Sequence, residues 1–131
     1  MTSLASHDIM SDMIEGRREH DALTELRRGV LSPCVLALLE ERPRYGLELV
    51  RDLAAAGNVL TSDGTVYPLL NRLRDAELVM SEWEDVPGER ARRYYTITAL
   101  GRNRLKAFRE EWALFTKTVG GVLFGEGKRA P

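Results

Sequence analysis

A mainly helical α+β fold, with three helices, a two-stranded β-hairpin and a long closing helix in that order, is what this 131-residue sequence predicts. Three observations predict it. Apolar residues recur at helical spacing in three stretches ahead of residue 77. The period then changes to strand alternation on both sides of a Pro-Gly turn. Finally, Leu105, Phe108, Trp112, Phe115, Val119 and Val122 follow one another at intervals of three and four.

The elements follow in order. Residues 1–20 are polar without a sustained period and read as a mobile tail. From Asp21 to Arg42 the pattern is helical, carried by Leu23, Leu26, Val30, Val35, Leu36, Leu38 and Leu39. Ser32-Pro33 inside it resembles an N-cap followed by proline at the first helical position. The stretch is therefore either two short helices or one helix bent near Gly29. A second helix is expected over Tyr45–Ala55, with Leu47, Val50 and Leu53 inward and Gly57-Asn58 closing it.

The third helix is expected over about Asp63–Ala76, and it contains a misfit. In TVYPLLNRLRD the stripe Val66, Leu69, Leu70 and Leu73 faces a core, yet Pro68 stands among them. A proline in a helix interior costs about 3 kcal/mol. At 100° per residue the face opposite the stripe holds Gly64, Pro68, Asn71 and Asp75, so the proline ring points outward. The bond it removes would have gone to the Gly64 carbonyl, which water can reach.

Leu78–Trp83 then alternates as a strand, Asp85–Arg92 has turn chemistry in Pro87-Gly88, and Arg93–Thr98 is rich in β-branched and aromatic residues. One of Tyr94 and Tyr95 must face inward. Thr98 caps a last helix running to about Val119, and the end of the chain is expected to fray. Helix, helix, helix, hairpin, helix is the order of a winged helix-turn-helix, in which the second helix of the pair enters the major groove of DNA. The division expected is a tail over 1–20, a winged-helix DNA-binding domain over 21–98, a dimerisation helix over 99–123 and a frayed tail over 124–131.

Bulk properties narrow the function. Apolar content of 44% and charged content of 30% suit a globular domain. No apolar run approaches the roughly 18 residues of a membrane span. MTSLASHDIM lacks the basic start and long apolar stretch of a signal peptide. Cys34 is the only cysteine, which fits a reducing cytoplasm. Cys34, His7 and His20 have no metal-site spacing, and no cofactor is implied. There is no Ser/His/Asp set, no glycine-rich phosphate loop and no motif-placed carboxylate pair, so no enzyme is expected.

The formal net charge is −1, but Glu89–Lys106 carries six basic residues against one acidic. A local basic patch is what phosphate contacts need. Asn71 and Arg72 are of base- or phosphate-reading types, and Thr65 and Tyr67 can donate to phosphate; Ser62 joins them as a candidate. Arg90, Arg92 and Arg93 lie at the hairpin tip and return strand, where a wing meets the backbone or minor groove. A solvated polar face has the same composition, and Asp63 and Asp75 would repel phosphates. A winged-helix protein–protein module without DNA binding is therefore the alternative; it would not need the three wing arginines.

The last helix makes a separate argument. Leu105, Phe108, Trp112, Phe115 and Val119 form an a/d seam that suits a homodimer, with Leu23 and Leu26 contributing. Phe108, Trp112 and Phe115 would line an apolar slot between protomers, suited to a small planar aromatic or cationic effector.

Taken together, RYGLELV (44–50), GTVYPLLNRLRDAELV (64–79), RARRYYTITALGRNRL (90–105) and EEWALF (110–115) resemble the PadR family of winged-helix transcriptional regulators, in its small form with one long C-terminal helix. The resemblance spans about Leu26–Leu123. It implies a dimeric bacterial regulator, usually a repressor, on a near-palindromic operator, often released by a small effector. It also maps the family's recognition-helix threonine and tyrosine onto Thr65 and Tyr67, and its basic wing residues onto Arg90, Arg92 and Arg93. Two departures stand out. Glu77 stands where the family has a glycine, and Pro33 falls inside what is usually one continuous helix.

Overall fold

The structure, a computed structural model, describes residues 25–56 and 65–125. Residues 1–20, Leu23, Gly57-Asn58, Ser62, Asp63, Gly64 and the tail from 126 lie outside the described residues. Four helices and three strands are present among the described residues: α1 over residues 25–41, β1 over Arg44–Tyr45, α2 over Gly46–Ala55, α3 over Val66–Asp75, β2 over Val79–Glu84, β3 over Arg92–Ile97 and α4 over Ala99–Phe124. The sheet is antiparallel in the order β1-β3-β2.

α1 runs through Pro33 without a break, so the reading as two short helices capped at Ser32 is corrected. The hydrogen bond that Pro33 cannot donate would have reached Gly29, which is exposed and can be solvated instead. Leu31, Val35, Leu36 and Leu39 turn inward from α1 to meet Leu49 and Leu53 of α2, the α3 stripe, Leu78, Val79, Tyr95 and Leu105. Tyr95 is thus the inward member of the tyrosine pair.

β1 was not legible in the sequence. It pairs Arg44 with Tyr95 and Tyr45 with Tyr94. Arg44 is 6% exposed. Its guanidinium bonds Asp52 of α2 at 2.7 Å and Glu41 of α1 at 3.1 Å, and it donates to the Leu38 carbonyl. A buried cation paired in this way anchors α1, β1 and α2 to one another. The face α2 turns inward is Gly46, Leu49 and Leu53. Leu49 is buried and Leu47 is 48% exposed, so the expectation that Leu47 faces the core is corrected.

The misfit of Pro68 has a simpler answer than its outward position. α3 starts at Val66 with Thr65 as N-cap, so Pro68 is the third helical residue. Its N–H would be one of the first four, which have no intrahelical partner in any helix. The stripe Val66, Leu69, Leu70 and Leu73 is buried throughout, as expected.

α3 ends in a Schellman motif. The Leu78 N–H reaches the Leu73 carbonyl and the Glu77 N–H the Arg74 carbonyl, both at 2.9 Å. The motif needs a left-handed residue, and Glu77 adopts φ 62°. A side chain in that conformation costs roughly 1–2 kcal/mol. Part of this returns as unfolded-state entropy when glycine is introduced. Glu77→Gly is therefore expected to stabilise the fold by about 1 kcal/mol, seen as a rise of several degrees in the melting temperature by circular dichroism. A fall would mean that the Glu77 carboxylate makes a stabilising contact of its own.

β2 and β3 form the wing. The Glu89 N–H bonds the Val86 carbonyl at 3.0 Å across Pro87-Gly88, with Gly88 at φ 81°. Proline then glycine at the two central positions is the sequence of a type II turn. Thr98 caps α4 as expected: its Oγ1 accepts from the Gly101 N–H at 3.0 Å and donates to the Glu77 carbonyl at 2.7 Å. α4 continues past the expected end at Val119, through Gly120-Gly121 to Phe124, and Gly125 closes it at φ 72°. The apolar residues Val122, Leu123 and Phe124 are exposed there.

Candidate nucleic-acid interface

α3 presents Tyr67, Pro68, Asn71 and Arg72 outward, all exposed. Beside it stands the wing. The space between them is a cleft of about 750 Å³, entered from α3 by Tyr67 and Asn71 and from the wing by Arg90, Arg92 and Arg93. Five of the eight sequence candidates therefore come together. Thr65, half-buried, and Arg72 lie elsewhere on α3 and do not line the cleft. Ser62 lies outside the described residues.

The Tyr67 ring is seated on the start of α2. A Cβ added at Gly46 would come within 2.7 Å of its Cε1 and 3.4 Å of its hydroxyl. Glycine at this position thus lets the tyrosine lie flat across the α2 N-terminus, with half of its surface still open.

The sheet register separates two of the wing arginines. Directly paired residues share a face. Trp83 pairs with Arg93 and Ser81 with buried Tyr95, so Ser81, Trp83 and Arg93 continue the inner face beyond the core toward α3. Glu84 pairs with Arg92 and Tyr45 with Tyr94, which puts these four on the opposite face of the strands, from which Tyr45 and Arg92 still reach the cleft. Each guanidinium lies over an aromatic ring: Arg93 is 4.6 Å from the Trp83 centroid and Arg92 is 4.5 Å from that of Tyr45. Arg92 also pairs with Glu89 at 2.6 Å, whereas Arg93 donates to the Ser81 hydroxyl at 3.0 Å. Among the described residues no carboxylate pairs with Arg90 or Arg93. The Glu84 carboxylate beside the Tyr45 hydroxyl pushes the ionisation of that phenol upward.

Trp83 and Tyr45 were missed from the sequence. The available signal was the alternation of β2, which carries Trp83 onto the same face as Val79. No core side chain lies that far along the strand, so the indole is 62% exposed.

A family model described as the transcriptional regulator PadR-like family matches residues 35–107, which contain α2, α3, the wing and the start of α4. The chain belongs to the PadR-like family. It is accordingly a transcriptional regulator, not an enzyme. A PadR family transcriptional regulator from Eggerthella lenta DSM 2243 is 36% identical, with a TM-score of 0.74 over 85% of this chain and 96% of that one. A PadR-like transcriptional regulator from Bacillus cereus strain ATCC 14579 is 31% identical, with a TM-score of 0.66 over 76% and 96%. An uncharacterised protein of Lysinibacillus sphaericus is 31% identical over 79% of this chain and 95% of its own length. The winged fold of this PadR-like chain is thereby established, and no helix among its described residues is long and apolar enough to cross a membrane.

The C-terminal seam behaves differently along its length. Leu105 is 2% exposed and belongs to the chain's own core, so its assignment to a dimer interface is corrected. The reason is positional: Leu105 is still in the part of α4 that lies over the domain. Beyond the Arg109–Glu40 ion pair of 2.9 Å, Trp112 and Phe115 are exposed, while Val119 is half-buried. Phe108 stacks on Trp112 and Trp112 packs tilted against Phe115, with centroids 5.7 and 6.1 Å apart. They face Leu26, Gly29 and Val30 of α1 across a groove of about 380 Å³ whose rim carries Glu25 and Glu111.

Proposed function

We propose that the chain is a homodimeric repressor that binds a near-palindromic operator through α3 and the wing and is released by a small aromatic effector. The observation that carries the DNA-binding reading is the cleft, in which Tyr67 and Asn71 face three arginines across a gap open to solvent. In this reading α3 enters the major groove with Asn71 and Arg72 toward base edges, and Thr65 and Tyr67 donate to phosphates. The wing arginines then meet the flanking backbone.

The dimer reading is supported by the exposed aromatic face of α4, continued by Leu26 of α1. Such a face on a single chain suits a second copy related by twofold symmetry, and two copies of α3 then suit two half-sites. The groove beside Trp112, with its acidic rim, suits a planar cationic or aromatic effector. A regulator of chromosomal operators works in the cytoplasm.

Selection of bound duplexes from a random DNA pool tests the function. A single enriched, near-palindromic sequence is expected, with affinity falling steeply as salt rises. Tyr67→Phe and Arg72→Ala are expected to stay folded and bind that duplex more weakly. A parent chain that enriches no sequence and shows no salt-dependent retention on DNA would favour a protein–protein module instead.

A further inference from the structure

The wing offers three arginines of unequal availability. Arg92 also lines the cleft, but Glu89 at 2.6 Å already offsets its charge. Arg90 stands at the tip without a described partner, so nothing fixes its direction. Arg93 differs from both. Its side chain is held at two points, by the Trp83 ring at 4.6 Å and by the Ser81 hydroxyl at 3.0 Å, and both groups are neutral. They fix its direction without cancelling its charge. The cleft side of the sheet, shared with Tyr67 and Asn71, is where that direction leads.

The indole needs an explanation as well. Trp83 is 62% exposed on an edge strand, belongs to no part of the core and covers none of it. Its one described ring contact is the Arg93 guanidinium. A large exposed apolar side chain whose partner is a cation fits a positioning role better than a packing role.

We propose that Arg93 is the principal phosphate-binding cation of the wing, and that Trp83 is a positioning residue which, with Ser81, holds its guanidinium toward a DNA backbone lying in the cleft. This rests on the DNA-binding reading above. Ordering a long side chain before binding lowers the entropy lost when it meets a phosphate. With Nη1 held by the Ser81 hydroxyl, the Nε–Nη2 edge of the planar guanidinium can still make bidentate contact while its face rests on the indole.

The test is a double-mutant cycle in the full-length chain, read by anisotropy of a labelled mixed-sequence duplex of about 30 base pairs, roughly three helical turns. Circular dichroism checks that each variant is folded. Arg93→Ala is expected to weaken binding about ten-fold and to flatten the salt dependence by about one ion per half-site, more than Arg92→Ala does. Trp83→Leu keeps bulk but removes the ring, and is expected to weaken binding about two- to five-fold per half-site. Trp83→Phe is expected to recover most of that loss. In the Arg93→Ala background, Trp83→Leu is expected to cost nothing further. An equal loss in both backgrounds, or no loss in either, overturns the positioning role. An Arg92→Ala loss exceeding that of Arg93→Ala overturns the ranking. A parent chain that fails to bind the duplex overturns the DNA-binding reading itself, which separates that failure from the others.

Discussion

Gly101→Ala destabilises the domain by about 3 kcal/mol, and Gly101→Val by more. Helix propensity alone argues the opposite sign, because alanine in a helix interior is worth roughly 0.5–1 kcal/mol over glycine. The contact decides. A Cβ at this position would overlap the Leu78 carbonyl oxygen and would sit 2.8 Å from Ile97 Cγ1 and 3.2 Å from the Leu78 carbonyl carbon. The Leu78 carbonyl cannot rotate away, since it is backbone and accepts the Thr98 N–H at 3.1 Å. A loss of that size is a large part of the 5–15 kcal/mol that holds an ordinary domain together. Gly120, in the same helix, is the control: a Cβ there meets nothing within 4 Å. Gly120→Ala is expected to raise stability by about 0.5–1 kcal/mol. Urea denaturation of the pair would show opposite signs; equal signs would mean that α4 shifts readily away from Leu78.

Truncation after Arg109 is expected to convert the dimer to a folded monomer and to weaken binding of a full two-site operator about 100-fold or more. The core explains why the monomer should fold. Its last member is Leu105, and the Arg109–Glu40 bridge that ties α4 to α1 is retained. What is lost is Trp112, Phe115, Val119 and the apolar end of the helix. Burying each large apolar side chain against a partner contributes roughly 1.5–3 kcal/mol by area, an upper bound. Sedimentation velocity reads the assembly and anisotropy the affinity. A truncated chain that sediments as the same dimer would sink the assignment of α4 as the interface.

The parts that were legible in the sequence share a property: local pattern and tertiary packing agree there. The stripe of α3, the Thr98 cap and the Pro87-Gly88 turn each follow from residues within one element. Glu77 was legible as a departure only because the family resemblance puts a glycine at that helix exit, where the backbone is left-handed. The misses have the opposite character. β1 is two residues long and has no period, so its pairing with β3 depends on a partner 50 residues away in the chain. Leu47 and Leu49 are both leucines in one helix, and only the tertiary packing of Leu49 with Leu53 against the core decides which faces inward. Leu105 fits the seam as well as Phe108 does, and its distance from the domain alone separates them. In the site, the arginines were visible as charge. The aromatic rings beneath them were not, because register places them.

The junction of α3 and α4 has a mechanical consequence. The exit of α3 and the entry of α4 are fastened by the Thr98 bonds to the Leu78 and Glu77 carbonyls, with Gly101 pressed against the same peptide. Such a joint has little play, so α4 acts as the handle of a crank whose blade is α3. α4 has 26 residues, a length of about 39 Å at 1.5 Å per residue. A tilt of about 5° over that length moves the far end by roughly 3 Å, close to the 3.4 Å axial rise per base pair of DNA. Two such cranks joined at their handles and tilting in opposite senses would change the spacing of the blades by roughly 7 Å, about two base-pair steps along the duplex axis.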